Sequence, residues 1–261
     1  MATTFENAGT RVKYEIRADI APRERLIVAL DVDTGDEAIE LVELLGENVS
    51  FYKVGLQLFM EGGLSIVKQL VAQGKKVFLD LKIDDTPRTV EHAVRQAAIE
   101  GVKFFTLQGN ADTAQAARAG RGDQPSPQLL QVTLLSSWDR TDLIDHLHVP
   151  PALQKTLVFD DFVLHRTARI LDSGCDGVIA SGSSVTGLRA NYPDVLIVTP
   201  GIRANDASKD DHKRSLTPSE AIFAGADYLV VGRPIRNADD PKATAAKIQE
   251  EIAQAVTNKA V

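Results

Sequence analysis

The stretch KVFLDLKIDDTP, residues 76–87, opens as a buried strand and then places Asp80, Lys82, Asp84 and Asp85 within six residues. Its first half is largely apolar and continuous, the pattern of a parallel strand covered on both faces. Pro87 suits the first turn of a helix, and RTVEHAVRQAAIEG beyond it has helical spacing and a terminal Gly. A strand that runs into a helix in this way is one βα unit, and the unit recurs along the chain. The other apolar runs are RLIVALDV (25–32), SFYKVG (50–55), VKFFTLQ (102–108), LLQVTLL (129–135), DGVIAS (176–181), VLIVTP (195–200) and DYLVVG (227–232), which brings the count to eight. Between them lie helical segments such as DEAIELVELLGE, EGGLSIVKQLVAQG, DDFVLHRTARILDSG and PSEAIFAGA, and a last one, PKATAAKIQEEIAQAVTN, follows the eighth run.

Eight alternations predict an α/β fold, a single (β/α)8 TIM barrel with its active site at the C-terminal ends of the strands. A length of 261 residues is normal for one such barrel. Strand count and length favour it over a doubly wound open sheet. Residues 25–261 are read as the barrel and residues 1–24 as a short N-terminal extension. Two stretches exceed a minimal barrel, Ser136–Asp161 after the fifth strand and Gly201–Thr217 after the seventh. Both follow strands on the side where barrels carry their chemistry, and the second is polar, without apolar periodicity, and reads as a mobile loop.

Composition narrows the class. The chain is 44% hydrophobic and 25% charged, with a formal net charge of -7 and a pI near 5.3. That balance supports a large core and argues against nucleic acid as a partner. Cys175 is the single cysteine, so no internal disulfide forms. No apolar run reaches the length of a membrane span, and the polar start MATTFENAGTRVKYEIRADI resembles neither a signal nor a transit peptide. The expectation is a cytoplasmic protein with no membrane partner.

Charge at strand ends is the informative feature. ALDVD carries Asp31 and Asp33, FYKVG carries Lys53, and the third strand carries Asp80 and Lys82. Residues two apart on a strand share a face, about 6–7 Å apart along it. Asp80 and Lys82 are therefore expected on one face and Leu79 and Leu81 on the other. A lone Asp–Lys pair is most simply a structural ion pair. Three neighbouring strands ending in charge at one level point instead to chemistry, because buried charges are costly for stability alone. VTPGIR and VVGRP end strands seven and eight, where barrels often bind phosphate. Gly201 and Gly232 allow close backbone approach there, and Arg203 and Arg233 offer forked donors. His92 and His165 read as helix-surface residues, and the remaining histidines show no metal-ligand spacing beyond a weak His-x-His. Neither a Walker loop nor a dinucleotide glycine pattern is present, which argues against ATP and NAD.

ALDVD, FYKVGLQLF, VFLDLKIDDTPRTV, VTPGIR and AGADYLVVGRP, in this order at strand ends, resemble the orotidine 5'-phosphate decarboxylase family from about Leu26 to Pro234. The resemblance implies an array of Lys53, Asp80, Lys82 and Asp85, with Lys82 the proton donor and Asp85 reaching into a partner subunit's site. It implies a homodimer with shared active sites, in which Thr86 and Thr89 follow Asp85 and help hold the ribose. It also implies that Asp31 and Lys53 bind ribose hydroxyls, that Ser136 or its neighbour Ser137 contacts the pyrimidine, and that Arg203, Gly232 and Arg233 hold the phosphate. The substrate would be orotidine 5'-phosphate, and no metal or organic cofactor would be needed. The chain departs from the family pattern at Thr86, where an apolar residue is frequent, at Gln108, where a histidine is frequent, and at His212, which falls where the phosphate loop usually offers glutamine. Related sugar-phosphate barrels share D-x-K-x-x-D but hold Mg2+ with an acid at the end of strand two, where this chain has Lys53. A non-catalytic phosphate-binding barrel is the reading from a different class.

Overall fold

All eight apolar runs form strands: β1 Leu26–Ala29, β2 Phe51–Gly55, β3 Lys76–Ile83, β4 Phe104–Leu107, β5 Gln128–Val132, β6 Gly177–Ile179, β7 Leu196–Thr199 and β8 Tyr228–Val231. The computed structural model describes residues 16–203 and 215–259. Each strand pairs in parallel with the next, and β8 pairs with β1 through Leu26–Leu229 and Val28–Val231, which closes the barrel. A parallel neighbour can be reached only by a crossover, and the helices supply it. The helices are α1 Gly35–Leu45, α2 Leu56–Ala72, α3 Pro87–Ile99, α4 Ala111–Arg121, α5 Arg140–His146, α6 Pro151–Gln154, α7 Phe159–Asp172, α8 Ser184–Asn191, α9 Pro218–Ala224, α10 Arg233–Arg236 and α11 Pro241–Lys259. No helix among the described residues is long and apolar enough to cross a membrane.

Strand alternation divides the apolar residues into two cores. Val28, Tyr52, Val54, Val77, Leu79, Phe105 and Leu107 face outward and pack under the helices. Ile27, Phe51, Phe78, Phe104, Val198 and Tyr228 face inward and fill the barrel. Four aromatic rings form the centre of that filling. Phe104 lies 5.0 Å from both Phe51 and Tyr228 and 5.9 Å from Phe78, centroid to centroid. These tilted and edge-on contacts are the favourable geometry for aromatic pairs. The rings make a solid floor, so a polar side chain one step further along each strand has nowhere to go but the mouth.

The opposite end is closed by the segment before β1. Ile20 joins the inward core at 6% exposure. Arg25 donates to the Asp227 carbonyl at 3.0 Å. Arg189 donates to Gly225 and Val195 carbonyls and to Asp227 Oδ2 at 2.8 Å, and the same oxygen accepts the Ile197 N–H at 2.8 Å. Removing one member of a buried, hydrogen-bonded pair strands the other in a low-dielectric interior. Arg189→Leu is therefore expected to cost about 3–5 kcal/mol of stability, read as a lower urea midpoint.

Candidate active site

The mouth of the barrel carries an ionic chain built from three adjacent strands. β1 runs out into Asp31, β2 brings Lys53 inward above Phe51, and β3 brings Asp80 inward above Phe78. Lys53 Nζ lies 2.9 Å from Asp31 Oδ1 and 3.5 Å from Asp80 Oδ2. Lys82 Nζ lies 2.8 Å from Asp80 Oδ1. Lys53 and Asp80 are each 9% exposed, whereas Lys82 and Asp31 are more open to solvent. Burial alone pushes the Asp80 carboxyl up. The attraction of Lys53 and Lys82, with hydrogen bonds from Lys82 and Thr106, outweighs it and holds the pKa below the ordinary value. Burial likewise pulls Lys53 down, and Asp80 and Asp31 overcome it, so Lys53 is raised. Both groups are thus fixed in their charged forms.

Asp80 and Lys82 meet as expected, but not by regular alternation. Lys82 has left-handed backbone, φ 51°, and β3 shifts register against β4 between Leu79 and Ile83. Leu79 does pack outward, and Leu81 packs against the same outer core. Gly55 ends β2 in extended backbone, φ -91° and ψ 178°, so its conformation does not call for glycine. A Cβ there would stand 2.9 Å from Lys53 Nζ and 3.1 Å from Asp31 Oδ1, so the ends of those two side chains would have to shift to admit it.

A cavity of about 210 Å³ opens over this chain. One wall is Asp31, Lys53, Asp80 and Lys82, and the middle is apolar, with Val132, Leu134, Ile179 and Val230. Ser136 also lines it. Gly201, Arg203, Gly232 and Arg233 form the end between the seventh and eighth strands. Gly201 has φ 79°, a conformation that favours glycine. Arg203 is pinned on its backbone by Leu216, whose carbonyl accepts its N–H at 3.0 Å. Gly232 is the N-cap of the short helix α10 and Arg233 its first residue, the kind of extra helix at which barrels bind phosphate.

The chain does not bring Asp85, Thr86 or Thr89 into its own cavity. All three are exposed on the loop and first turn after β3. Asp85 accepts the Thr86 N–H at 2.6 Å, which, followed by the Thr86 hydroxyl, lowers its pKa. Thr86 Oγ1 and Thr89 Oγ1 are 3.0 Å apart. His212 and most of the stretch between Gly201 and Thr217 lie outside the described residues. Gln108 does not line the cavity. His92 and His165 are exposed on α3 and α7, and Trp138 packs against His146 at a tilt, centroids 4.6 Å apart. A second, more open depression, lined by Arg88, Glu91, His92 and Asp112, lies on α3 and α4 and holds no member of the ionic chain.

A closed eight-stranded barrel with charged side chains at the C-terminal strand ends, above a packed floor, defines a (β/α)8 barrel enzyme. The chain belongs to the orotidine 5'-phosphate decarboxylase / HUMPS family, whose sequence model matches residues 24–248. It is 44% identical over 239 residues to the orotidine 5'-phosphate decarboxylase of Methylobacterium sp. (strain 4-46), covering 90% of this chain and 98% of that one. It is 44% identical over 240 residues to the enzyme of the same name from Rhodopseudomonas palustris (strain BisB5), covering 92% and 99%. The crystal structure of orotidine 5'-phosphate decarboxylase from Lactobacillus acidophilus superimposes with a TM-score of 0.74 at 36% identity, covering 88% of this chain and 99% of that one.

Thr106 and Gly55 are the site residues that sequence reading passed over. Thr106 stood in an ordinary apolar run, and Gly55 looked like a strand terminus. Gly55→Ala should leave the barrel folded but push the ammonium off its partners. A crystal structure of the variant is expected to show Lys53 Nζ beyond ion-pair distance, about 4 Å, from Asp31 or Asp80.

Proposed function

We propose that this protein decarboxylates orotidine 5'-phosphate to UMP, the last step of de novo pyrimidine biosynthesis, in the cytoplasm and without metal or organic cofactor. The observation that carries the proposal is the Lys53–Asp80–Lys82 chain at the mouth of a barrel of this family. The reaction breaks the bond between ring carbon C6 and the carboxylate. CO2 leaves, and the electron pair stays on C6, where no carbonyl is placed to delocalise it. The Lys82 ammonium stabilises that charge as it develops and then gives C6 a proton, and solvent restores the proton to Lys82. Asp80 orients the ammonium. Asp31 and Lys53 hold the ribose hydroxyls, Ser136 the pyrimidine, and Arg203, Gly232 and Arg233 the phosphate. His212 is assigned to the phosphate loop on the resemblance alone.

Asp85, Thr86 and Thr89 act across the two-fold interface of a homodimer, completing a partner subunit's site. Their exposure on the loop after β3, away from their own chain's array, supports this. The family description also covers HUMPS proteins. Against a Mg2+-dependent sugar-phosphate chemistry stands Lys53, whose ammonium 3.5 Å from Asp80 would repel a divalent cation.

Turnover is read from the loss of orotidine 5'-phosphate ultraviolet absorbance, with EDTA present throughout. Wild-type protein should be active, and folded Lys82→Ala should lose about 10³-fold or more in turnover. Near-normal turnover by that variant would refute the role given to Lys82. Mixing Lys82→Ala with Asp85→Ala subunits should restore activity, because one site of each mixed dimer then holds both native residues. Mixed dimers no more active than either parent would exclude the shared site.

A further inference from the structure

The register shift in β3 concentrates on a single residue of β4. Leu79 pairs with Phe105 and Ile83 with Leu107, so Asp80, Leu81 and Lys82 stand opposite Thr106 alone. A bulge of this kind breaks the ladder locally and re-aims side chains. Here it throws Lys82 into left-handed backbone at φ 51°. A non-glycine residue holds that conformation only where its surroundings enforce it.

Thr106 is the group in position to enforce it. Its Oγ1 accepts the Lys82 backbone N–H at 3.0 Å and donates to Asp80 Oδ1 at 2.9 Å. A hydroxyl has one proton to give and lone pairs to receive with, so both bonds are made at once. The same Asp80 oxygen accepts Lys82 Nζ at 2.8 Å. A closed ring results, from the Lys82 N–H through Thr106 to Asp80 and back to the Lys82 ammonium. Thr106 has no exposed surface. Water therefore does not reach it to substitute for either bond, and its β-branched side chain has little rotamer freedom.

We propose that Thr106 is a positioning residue: it locks the Lys82 backbone and the Asp80 carboxylate together, so that the Lys82 ammonium is presented to the cavity at one fixed point. What the ammonium then does there rests on the decarboxylase reading, whereas the positioning itself does not. Valine copies the shape of threonine but removes the partner of the part-buried Lys82 N–H and deprives Asp80 of a donor. Serine keeps the hydroxyl.

The test compares Thr106→Val and Thr106→Ser in the full chain with two readouts. In crystal structures, Thr106→Val should release Lys82 from positive φ or displace Nζ by about 1 Å or more, a displacement that can cost about 10²-fold in rate. Thr106→Ser should leave both in place. In turnover of orotidine 5'-phosphate, Thr106→Val should lower kcat by about 10- to 100-fold with KM little changed, and Thr106→Ser should stay close to wild type. Should the valine variant not fold, Thr106→Ala takes its place against Thr106→Ser, and equal kcat in those two overturns the proposal. So does an unmoved Lys82 in Thr106→Val, a wild-type kcat in that variant, or a serine variant as impaired as the valine one. A wild-type protein silent on this substrate would sink the decarboxylase reading instead, and the crystallographic comparison would still decide the role of Thr106.

Discussion

A carboxylate buried between two ammonium groups is the constraint to which the mouth of this barrel conforms. Taken from water without partners, Asp80 would cost several kcal/mol and would take up a proton to escape the cost. It stays ionised because Lys53 and Lys82 approach from two sides and Thr106 donates from a third. Each of those approaches makes a demand on the backbone. Lys53 rises from β2 beside Gly55, where a Cβ would crowd its ammonium. Lys82 must come from the same strand as its partner, which regular pleating would set two residues on, and β3 bulges to bring it close. The aromatic floor beneath excludes water from below and fixes the level at which the charges emerge.

The cavity above has two ends of different character with an apolar middle. Four alternating charges line one wall, and two arginines and two glycines line the end between the seventh and eighth strands, with Val132, Leu134, Ile179 and Val230 among the residues between. The flat ring, the carboxylate and the tethered phosphate of the proposed substrate match that layout. On the proposed function, phosphate binding far from the reacting carbon supplies binding energy that is used to hold the ring against Lys82. The alternation of sign matters as much as the charges themselves, because every lysine faces a carboxylate and the array remains charged without net repulsion.

Much of the architecture was legible because a parallel strand buried on both faces writes itself as an apolar run. Eight such runs in a chain of this length favour a barrel over a doubly wound open sheet. The charged wall was legible for the complementary reason, since Asp80 and Lys82 break a run that otherwise admits only apolar residues. The way Lys82 reaches Asp80 was not. A bulge depends on the register with the neighbouring strand, which no local pattern records, and a threonine within FFTLQ is an ordinary β-former until its hydroxyl is seen between two charged groups. Gly55 was hidden similarly, since a glycine that leaves room for a neighbour looks like one needed for a turn. The stretch after the fifth strand, read as surplus to the barrel, holds α5 and α6, and α5 begins with a capping box from Asp139 to Asp142. Ile20, which precedes β1, is part of the inward core, a contact between segments distant in sequence that no local pattern records.

On the proposed function these charges stabilise a carbanion on the pyrimidine ring, and the product alone can reveal it in the reverse sense. A site that protonates the C6 carbanion must also catalyse its formation from UMP, since the two are the same step in opposite directions. UMP incubated with wild-type protein in D2O should therefore exchange its C6 hydrogen for deuterium, seen as loss of the H6 proton resonance, while Lys82→Ala should show no exchange above background. Absence of exchange from a preparation that decarboxylates orotidine 5'-phosphate, or equal exchange by the two proteins, would contradict the carbanion and the role of Lys82 in it.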